Sequence, residues 1–220
     1  MRNTLALLML ALCINAAAQI QGSSGHSIFA VEAGYTNFRP YAVNDYLFGD
    51  NAGFTSLITY GGSFFATSGG RYAHTWDAAV GFHLFQPQER MGTLDSLSYR
   101  VRGWEFMTSV FGYDVLNRVD VVDLTLGPGL YFGNLKMRKY FNGGNPDQFE
   151  LFKNPFIAPM VRADLRFVLG PVAIGGRASW RYDLTNPRWK KGNSVSLPGY
   201  RFTELQYMVY IGILFADENK

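Results

Sequence analysis

The stretch ELQYMVYIGILF, residues 204–215, shows the pattern that recurs along the whole chain. Every second residue from Leu205 to Phe215 is large and apolar or aromatic, whereas the residues between them include Gln206 and Gly212. Side chains of a β-strand alternate between its two faces, so one face of this segment is apolar and the other is mixed. This arrangement suits a wall that faces lipid on one side and a semi-polar interior on the other, which is typical of a transmembrane β-barrel.

Seven further segments with this kind of alternation precede the last one, although it is interrupted in the second. The predicted strands cover about 27–38, 54–66, 71–84, 97–112, 119–133, 155–169, 172–184 and 204–215. Long connections at 39–53, 86–96, 134–154 and 185–200 alternate with short ones at 67–70, 113–118 and 170–171. Membrane barrels have long external loops and short periplasmic turns. The sequence therefore predicts an all-β, eight-stranded antiparallel up-and-down transmembrane β-barrel.

The first 18 residues are predicted to be a signal peptide. Arg2 provides a positive charge, residues 5–12 form a short apolar run, and Ala16 and Ala18 fit a small-residue cleavage site. The apolar run is too short to span a bilayer as a helix. We therefore expect a cleaved signal peptide at 1–18 and an outer-membrane β-barrel domain at 19–220, integral to the bacterial outer membrane.

Composition narrows the class of protein further. The chain has 18 Phe, 13 Tyr, 4 Trp and 24 Gly, and its mean hydropathy is −0.03. No second long apolar run exists, which argues against a helical membrane protein. A formal net charge of +3 does not indicate a nucleic-acid partner. The single cysteine, Cys13, lies within the predicted signal peptide, so we expect neither disulfides nor thiol chemistry in the mature chain.

The chain resembles the small outer-membrane β-barrel proteins of the OmpA and OmpX type, especially those of Bacteroidota-like bacteria. The resemblance is carried by the signal with Ala16-Ala17-Ala18-Gln19, by residues 112–133 beginning Gly112-Tyr113-Asp114, and by residues 206–215. It implies contact with outer-membrane lipid and lipopolysaccharide, and insertion by the outer-membrane assembly machinery. The last strand resembles an assembly signal, but it ends five residues before the terminus.

Acidic and basic residues cluster on the less apolar faces of the predicted strands. An eight-stranded barrel is just wide enough for side chains to fill it, and buried charges need partners. We therefore predict a lumen charge network that plugs the barrel, with a gated ion path as the alternative. The network comprises Glu32, Asp77, Glu105, Asp123, Arg162, Asp164, Arg166, Arg177, Arg181, Asp183 and Glu204.

The connections 134–154 and 185–200 are predicted to form an external partner surface. Asn142-Gly143 between two β-like runs is a hairpin signal, so the first connection should extend the sheet beyond the membrane. The aromatic residues of this first connection could form an edge for a partner. The basic cluster of the connection 185–200 is expected to meet lipopolysaccharide phosphates or another polyanion, or else to lie in solvent near anionic headgroups. The surface comprises Lys136, Arg138, Lys139, Tyr140, Phe141, Arg188, Trp189, Lys190 and Lys191.

No residue set in the sequence points to catalysis. His26, His74 and His83 are not at metal-ligand spacing, and no Ser/His/acid set converges. We expect no metal, no cofactor and no enzymatic activity. The predicted role is a scaffold or interaction protein whose external loops bind envelope protein or extracellular partners. A narrow ion or small-solute channel, a rim-sited lipid-modifying enzyme and a secreted lipocalin-like barrel are the alternatives.

Overall fold

A computed structural model describes residues 26–49, 53–68, 76–92, 97–116, 122–140, 151–185, 189–191, 195–197, 201 and 203–216. The signal peptide predicted at 1–18 lies outside these ranges, as do His74, Phe141 and Arg188.

Eight long strands form the wall of the molecule, and the prediction of an eight-stranded antiparallel barrel is confirmed. Each long strand pairs with its neighbours in chain order, and β1 closes the wall by pairing with the last strand, β10. The elements are β1 (His26–Asn37), α1 (Tyr41–Phe48), β2 (Ser56–Ser68), β3 (Trp76–Met91), β4 (Ser98–Asp114), β5 (Val122–Tyr140), β6 (Leu151–Leu169), β7 (Val172–Arg181), β8 (Trp189–Lys191), β9 (Val195–Leu197) and β10 (Leu205–Ala216).

The two faces of β10 point outward and inward as the alternation in its sequence predicts. The outward residues from Leu205 to Phe215 are 45% to 66% exposed, whereas Gln206 and Tyr210 are at most 3% exposed. β1 and β10 pair with His26 opposite Ala216, so the described chain begins and ends at the same end of the barrel. We call this the terminal end, and the opposite end the extended end.

A tight turn joins β6 and β7 at the terminal end. β6 and β7 are separated only by Gly170 and Pro171, as the sequence predicts. Gly170 has a φ of 62°, a left-handed conformation that glycine adopts without steric cost.

Several predicted boundaries at the extended end are wrong, because cross-strand pairing continues into segments predicted as loops. β3 runs to Met91 and pairs with β4 as far as Ser98, so part of the predicted loop 86–96 is strand. β5 likewise runs to Tyr140, and β6 begins at Leu151. Within the predicted loop 185–200, β8 and β9 pair with each other, and β8 pairs with β6.

The predicted polar loop 39–53 contains the helix α1, which the sequence analysis missed. Val43, Leu47 and Phe48 are buried and pack with the ring of Phe54 and other core residues at the extended end. The side chain of Asn44 accepts a hydrogen bond from the Phe54 amide at 3.0 Å and donates one to the Phe54 carbonyl at 2.8 Å. These contacts hold α1 across the mouth of the barrel. No helix among the described residues is long and apolar enough to span a bilayer.

Candidate functional site

The lumen contains two clusters of ion-paired side chains. The first, the Asp77 cluster, lies toward the terminal end and consists of Asp77, Arg162, Asp164 and Arg166. Arg162 donates to both Asp77 and Asp164, and Arg166 donates to the second carboxylate oxygen of Asp77 at 3.1 Å. None of the four is more than 2% exposed. Two cations balance two anions here, as buried charge requires.

The second cluster, the His83 cluster, lies nearer the extended end and consists of Glu32, His83, Glu105, Arg177 and Arg181. The imidazole bridges two carboxylates, with Nε2 at 2.6 Å from Glu32 Oε2 and Nδ1 at 3.5 Å from Glu105 Oε1. Arg177 donates to Glu32 at 2.7 Å, and Arg181 donates to Glu105 at 2.6 Å. His83 was not among the residues predicted for the lumen network.

Glycines on intervening strands provide the space for these contacts. Glu32, Gly61 and His83 are register partners on β1, β2 and β3, so the imidazole reaches Glu32 across a residue without a side chain. A Cβ at Gly61 would lie 2.8 Å from His83 Cδ2 and 2.0 Å from the Phe82 carbonyl oxygen. The absence of a side chain at Gly61 therefore leaves room for Glu32 on β1 to contact His83 on β3 across β2.

Interior glycines also provide space for contacts in the Asp77 cluster. Gly112 is the register partner of Asp77, and a Cβ there would lie 2.8 Å from Arg162 Nη2. Gly175 lies between Arg166 and Tyr210 in register, and the guanidinium donates to the phenol oxygen at 3.4 Å. Interior glycines thus let long side chains cross one strand to reach another.

The other predicted lumen residues lie nearer the two ends. Asp123 is partly exposed, with Oδ2 at 3.7 Å from Arg166 Nη1. Asp183 is buried, and its Oδ1 accepts hydrogen bonds from the Thr185 amide at 2.8 Å and the Thr185 hydroxyl at 2.6 Å. Glu204 is half-buried, and its backbone carbonyl accepts from the Arg181 amide at 3.1 Å.

An apolar layer lies between the His83 cluster and the extended end. The Arg181 guanidinium carbon is 5.2 Å from the Tyr131 ring centroid and 5.8 Å from that of Phe156. Beyond these rings, Phe48 packs edge-on against Phe54 and Tyr99, with centroids 5.5 Å apart in each pair. The mouth is therefore closed by aromatic side chains and α1, whereas the middle of the lumen is filled by paired charges.

The described residues contain no group of three His, Cys, Asp or Glu residues suited to hold a metal ion. The bridged imidazole of His83 is 0% exposed and lies under the aromatic layer. A substrate has no access to it in this conformation. The arrangement can neutralise charge and fix the strands relative to one another.

The outer wall carries a broad apolar and aromatic surface, which we call the belt. Phe82 stacks on Trp104 at 6.3 Å between ring centroids, and Trp104 meets Phe132 edge-on at 6.3 Å. Exposed members elsewhere in the belt include Phe29, Val31, Tyr35, Ile58, Tyr60, Val161, Leu165, Phe167, Ile174, Trp180, Val209 and Ile213.

Basic residues occupy the outer wall just beyond the belt at the extended end. Arg102, Lys136 and Lys153 are successive register partners on β4, β5 and β6, and Lys190 on β8 is the next partner in backbone register. We call these four positions the basic row. Arg100 and Arg138 are register partners in the neighbouring row.

The described residues that were predicted to form the external surface lie on two different strands, β5 and β8. Lys136 and Arg138 alternate with the buried Leu135 and Met137, which places them on the outer face. Lys139 has Nζ 5.8 Å from the Tyr99 ring centroid. Tyr140 belongs to β5, and Trp189 and Lys191 belong to β8. Sequence reasoning missed Arg102 and Lys153, since only strand register brings them beside Lys136.

No protein-family model matches the chain, and no curated protein matches it significantly in sequence. The chain is similar to the solved structure of Ail, the attachment invasion locus protein of Yersinia pestis, at 14% identity and a TM-score of 0.45, over 88% of this chain and 99% of that one. It is also similar to a major outer membrane protein from Thermus thermophilus, at 11% identity and a TM-score of 0.47, over 86% of this chain and 99% of that one. A third similar structure is the N-terminal β-barrel domain of Pseudomonas aeruginosa OprF, at 15% identity and a TM-score of 0.36, over 89% of this chain and 100% of that one. All three TM-scores are below 0.5, and none of the three proteins comes from Bacteroidota, so the resemblance to proteins of such bacteria stays a prediction.

Proposed function

We propose that the protein is an integral, non-enzymatic barrel of the bacterial outer membrane, whose extended end presents a surface to envelope or extracellular partners. The observation that carries this proposal is the inverted distribution of polarity. Among the residues that the structure describes, thirty large apolar or aromatic ones are exposed, including Val31 and Val209, whereas Arg162 and Glu105 are buried. Water-soluble monomers rarely expose such extensive apolar surface, and a bilayer would cover it.

This distribution argues against the lipocalin-like alternative, which needs an apolar interior and a polar exterior. It also favours a closed scaffold over a channel. Paired charges occupy the lumen, and Phe48 of α1 packs on Tyr99 across the mouth. An ion would have to displace these pairs to pass. The predicted signal peptide, insertion by the assembly machinery and contact with lipopolysaccharide complete the proposal.

Heat-modifiable gel mobility of the full chain, with separation of inner and outer membranes, tests the membrane assignment. We expect the protein in the outer-membrane fraction and a mobility change between unboiled and boiled samples in SDS. A soluble protein without a mobility change would overturn the proposal.

Planar-bilayer recording of the purified protein tests the closed lumen. We expect no conductance steps above those of protein-free lipid, and regular steps would favour the channel. Mass spectrometry of envelope lipids from cells with and without the protein tests the enzymatic alternative. We expect unchanged lipid masses, whereas a new lipid species that depends on the protein would favour a rim-sited enzyme.

A further inference from the structure

Two buried side chains that face each other across β6 and β7 keep polar atoms that no protein group satisfies. Asp164 and Arg177 are register partners on the inner wall, and they are 1% and 2% exposed. Among the described residues, Asp164 Oδ1 and Arg177 Nε and Nη1 have no hydrogen-bond partner. A buried polar atom without a partner is costly, and the cost is higher when its group carries a charge. These three atoms therefore call for a further partner.

Each of these side chains is held toward a different ion cluster by its other atoms. In the Asp77 cluster, Asp164 Oδ2 accepts a hydrogen bond from Arg162. In the His83 cluster, Arg177 Nη2 donates to Glu32 at 2.7 Å. Opposed residues on paired strands have Cβ atoms only about 4.5–5.5 Å apart. The Asp164 carboxylate and the Arg177 guanidinium are thus neighbours that do not bond to each other, and a small molecule between them could contact both.

The kinds of atoms identify the chemistry of that molecule. Arg177 offers N–H donors, whereas Asp164 offers a carboxylate acceptor. A halide or a phosphate would accept from Arg177 but would be repelled by Asp164, and a metal cation would be repelled by Arg177. Water both accepts and donates, and a buried water makes roughly two to four hydrogen bonds to polar groups that lack other partners. A neutral molecule with both capacities, such as water, matches the two side chains.

The closed lumen favours water over any larger polar molecule. Aromatic rings and α1 cover the extended end, where Phe48 packs on Phe54 and Tyr99. Ion-paired side chains of the Asp77 cluster occupy the lumen toward the terminal end. A solute much larger than water therefore has no access to Asp164 and Arg177 in this conformation.

We propose that one buried water molecule accepts a hydrogen bond from Arg177, through Nε or Nη1, and donates one to Asp164 Oδ1. This water joins the Asp77 cluster to the His83 cluster, so the paired charges form one continuous network along the lumen. The lumen is then closed to ions and yet not dry. This water site lies beyond the function proposed above, because it depends on no partner at the extended end.

A crystal structure of the full chain, at a resolution that shows ordered water, tests the site. We expect a density peak within about 2.7–3.2 Å of both Asp164 Oδ1 and one of the two Arg177 nitrogens. Two ordered side chains with no peak between them, or a direct contact between Asp164 and Arg177, would overturn the proposal. Crystals grown in bromide test the choice of water, since an anomalous peak at this position would reassign the site to a halide.

Two variants test which side chain holds the water. Arg177→Met removes the donor, so the peak should be lost. Arg181→Met is the matched control, because it removes a guanidinium of the same cluster but leaves Asp164 and Arg177 in place. The peak should persist in this control, whereas a peak that persists in Arg177→Met would contradict the site. Heat-modifiable gel mobility shows whether each variant folds, and the wild-type density decides the proposal even if Arg177→Met does not.

Discussion

Arg177 in the lumen and Arg102 on the outer wall have the same side chain in opposite settings. Arg177 is buried and donates to Glu32 at 2.7 Å, within a cluster that contains both signs of charge. Arg102 is exposed and stands in a row whose other members are all lysines. Charge inside the barrel is thus buried and held in ion pairs within the chain, whereas Arg102 lies on the exposed outer wall. The two regions should respond very differently to substitution.

The largest effect is expected from Arg162→Met in the Asp77 cluster. Removal of this guanidinium leaves the Asp164 carboxylate and one oxygen of Asp77 buried without their donor. Breaking a buried ion pair on one side costs about 3–5 kcal/mol in the free energy of unfolding. Urea titration of the barrel in lipid vesicles, followed by tryptophan fluorescence, measures it. Arg102→Met is the matched control, and an equal loss in the two variants would contradict the contrast.

A somewhat smaller loss is expected from Gly61→Ala, which fills the space between Glu32 and His83. The new Cβ would lie 2.0 Å from the Phe82 carbonyl oxygen, so the strands or the imidazole must shift. Overpacking of this kind costs about 1–3 kcal/mol. Gly176→Ala is the control, because the nearest atom to its Cβ is the Met208 carbonyl oxygen at 3.6 Å. The same urea titration should show little change there, and a matching loss would disprove the role of Gly61.

Phe48→Ala should distinguish the contribution of the aromatic mouth to closing the barrel from that of the charged lumen. The substitution removes the ring that packs on Phe54 and Tyr99, so α1 should open locally. We expect proteolysis within 39–53 to rise on the order of tenfold, while the urea midpoint of the barrel moves little. Bilayer recordings should still show no conductance, because both ion clusters remain. Tyr41→Ala, at a residue 66% exposed, should leave proteolysis unchanged. Conductance in the Phe48 variant would show that the charge clusters alone do not close the lumen.

The smallest effect is expected for the exposed pair of Glu89 and Arg100, which lies beyond the belt. The hydrogen bond from Arg100 lowers the pKa of Glu89 below its ordinary value of 4.5. A lowered pKa in the folded state means that the pair contributes stability above pH 4.5 and loses it as pH falls through the folded value. Both side chains are more than 40% exposed, so the contribution should be below about 1 kcal/mol. Glu89→Gln should remove it at neutral pH, and the difference from wild type should vanish in acid. A difference that persists at low pH would assign the effect to another group.

The strand count and the facing of the strands could be predicted from sequence, because alternation is a local property. In β4, Glu105 identifies the inner face and Trp104 the outer one. Pairing partners could not be predicted in this way. The contact of Glu32 with His83 depends on the register of three strands and on Gly61, which reads in the sequence only as an interruption of the pattern.

Two other features were missed for related reasons. α1 lies in a segment that contains Asn44 and Asp45, and its buried residues become recognisable only when the mouth of the barrel is in place. The basic row was hidden because Arg102 and Lys153 are far apart in the chain and become neighbours only through Lys136. Inspection of short sequence segments detects charged residues that are consecutive in the chain, whereas a barrel brings together charged residues from different strands.

The ion pairs of the lumen also bear on how the barrel can assemble. Arg162 on β6 is bonded to Asp77 on β3, and Arg177 on β7 is bonded to Glu32 on β1, so these contacts join strands that are not neighbours in the wall. A partly wound sheet would carry the same charges into the membrane without their partners, at high cost. Only the closed ring satisfies them together. Closure should therefore be a single cooperative event, and half-formed barrels should be scarce during insertion.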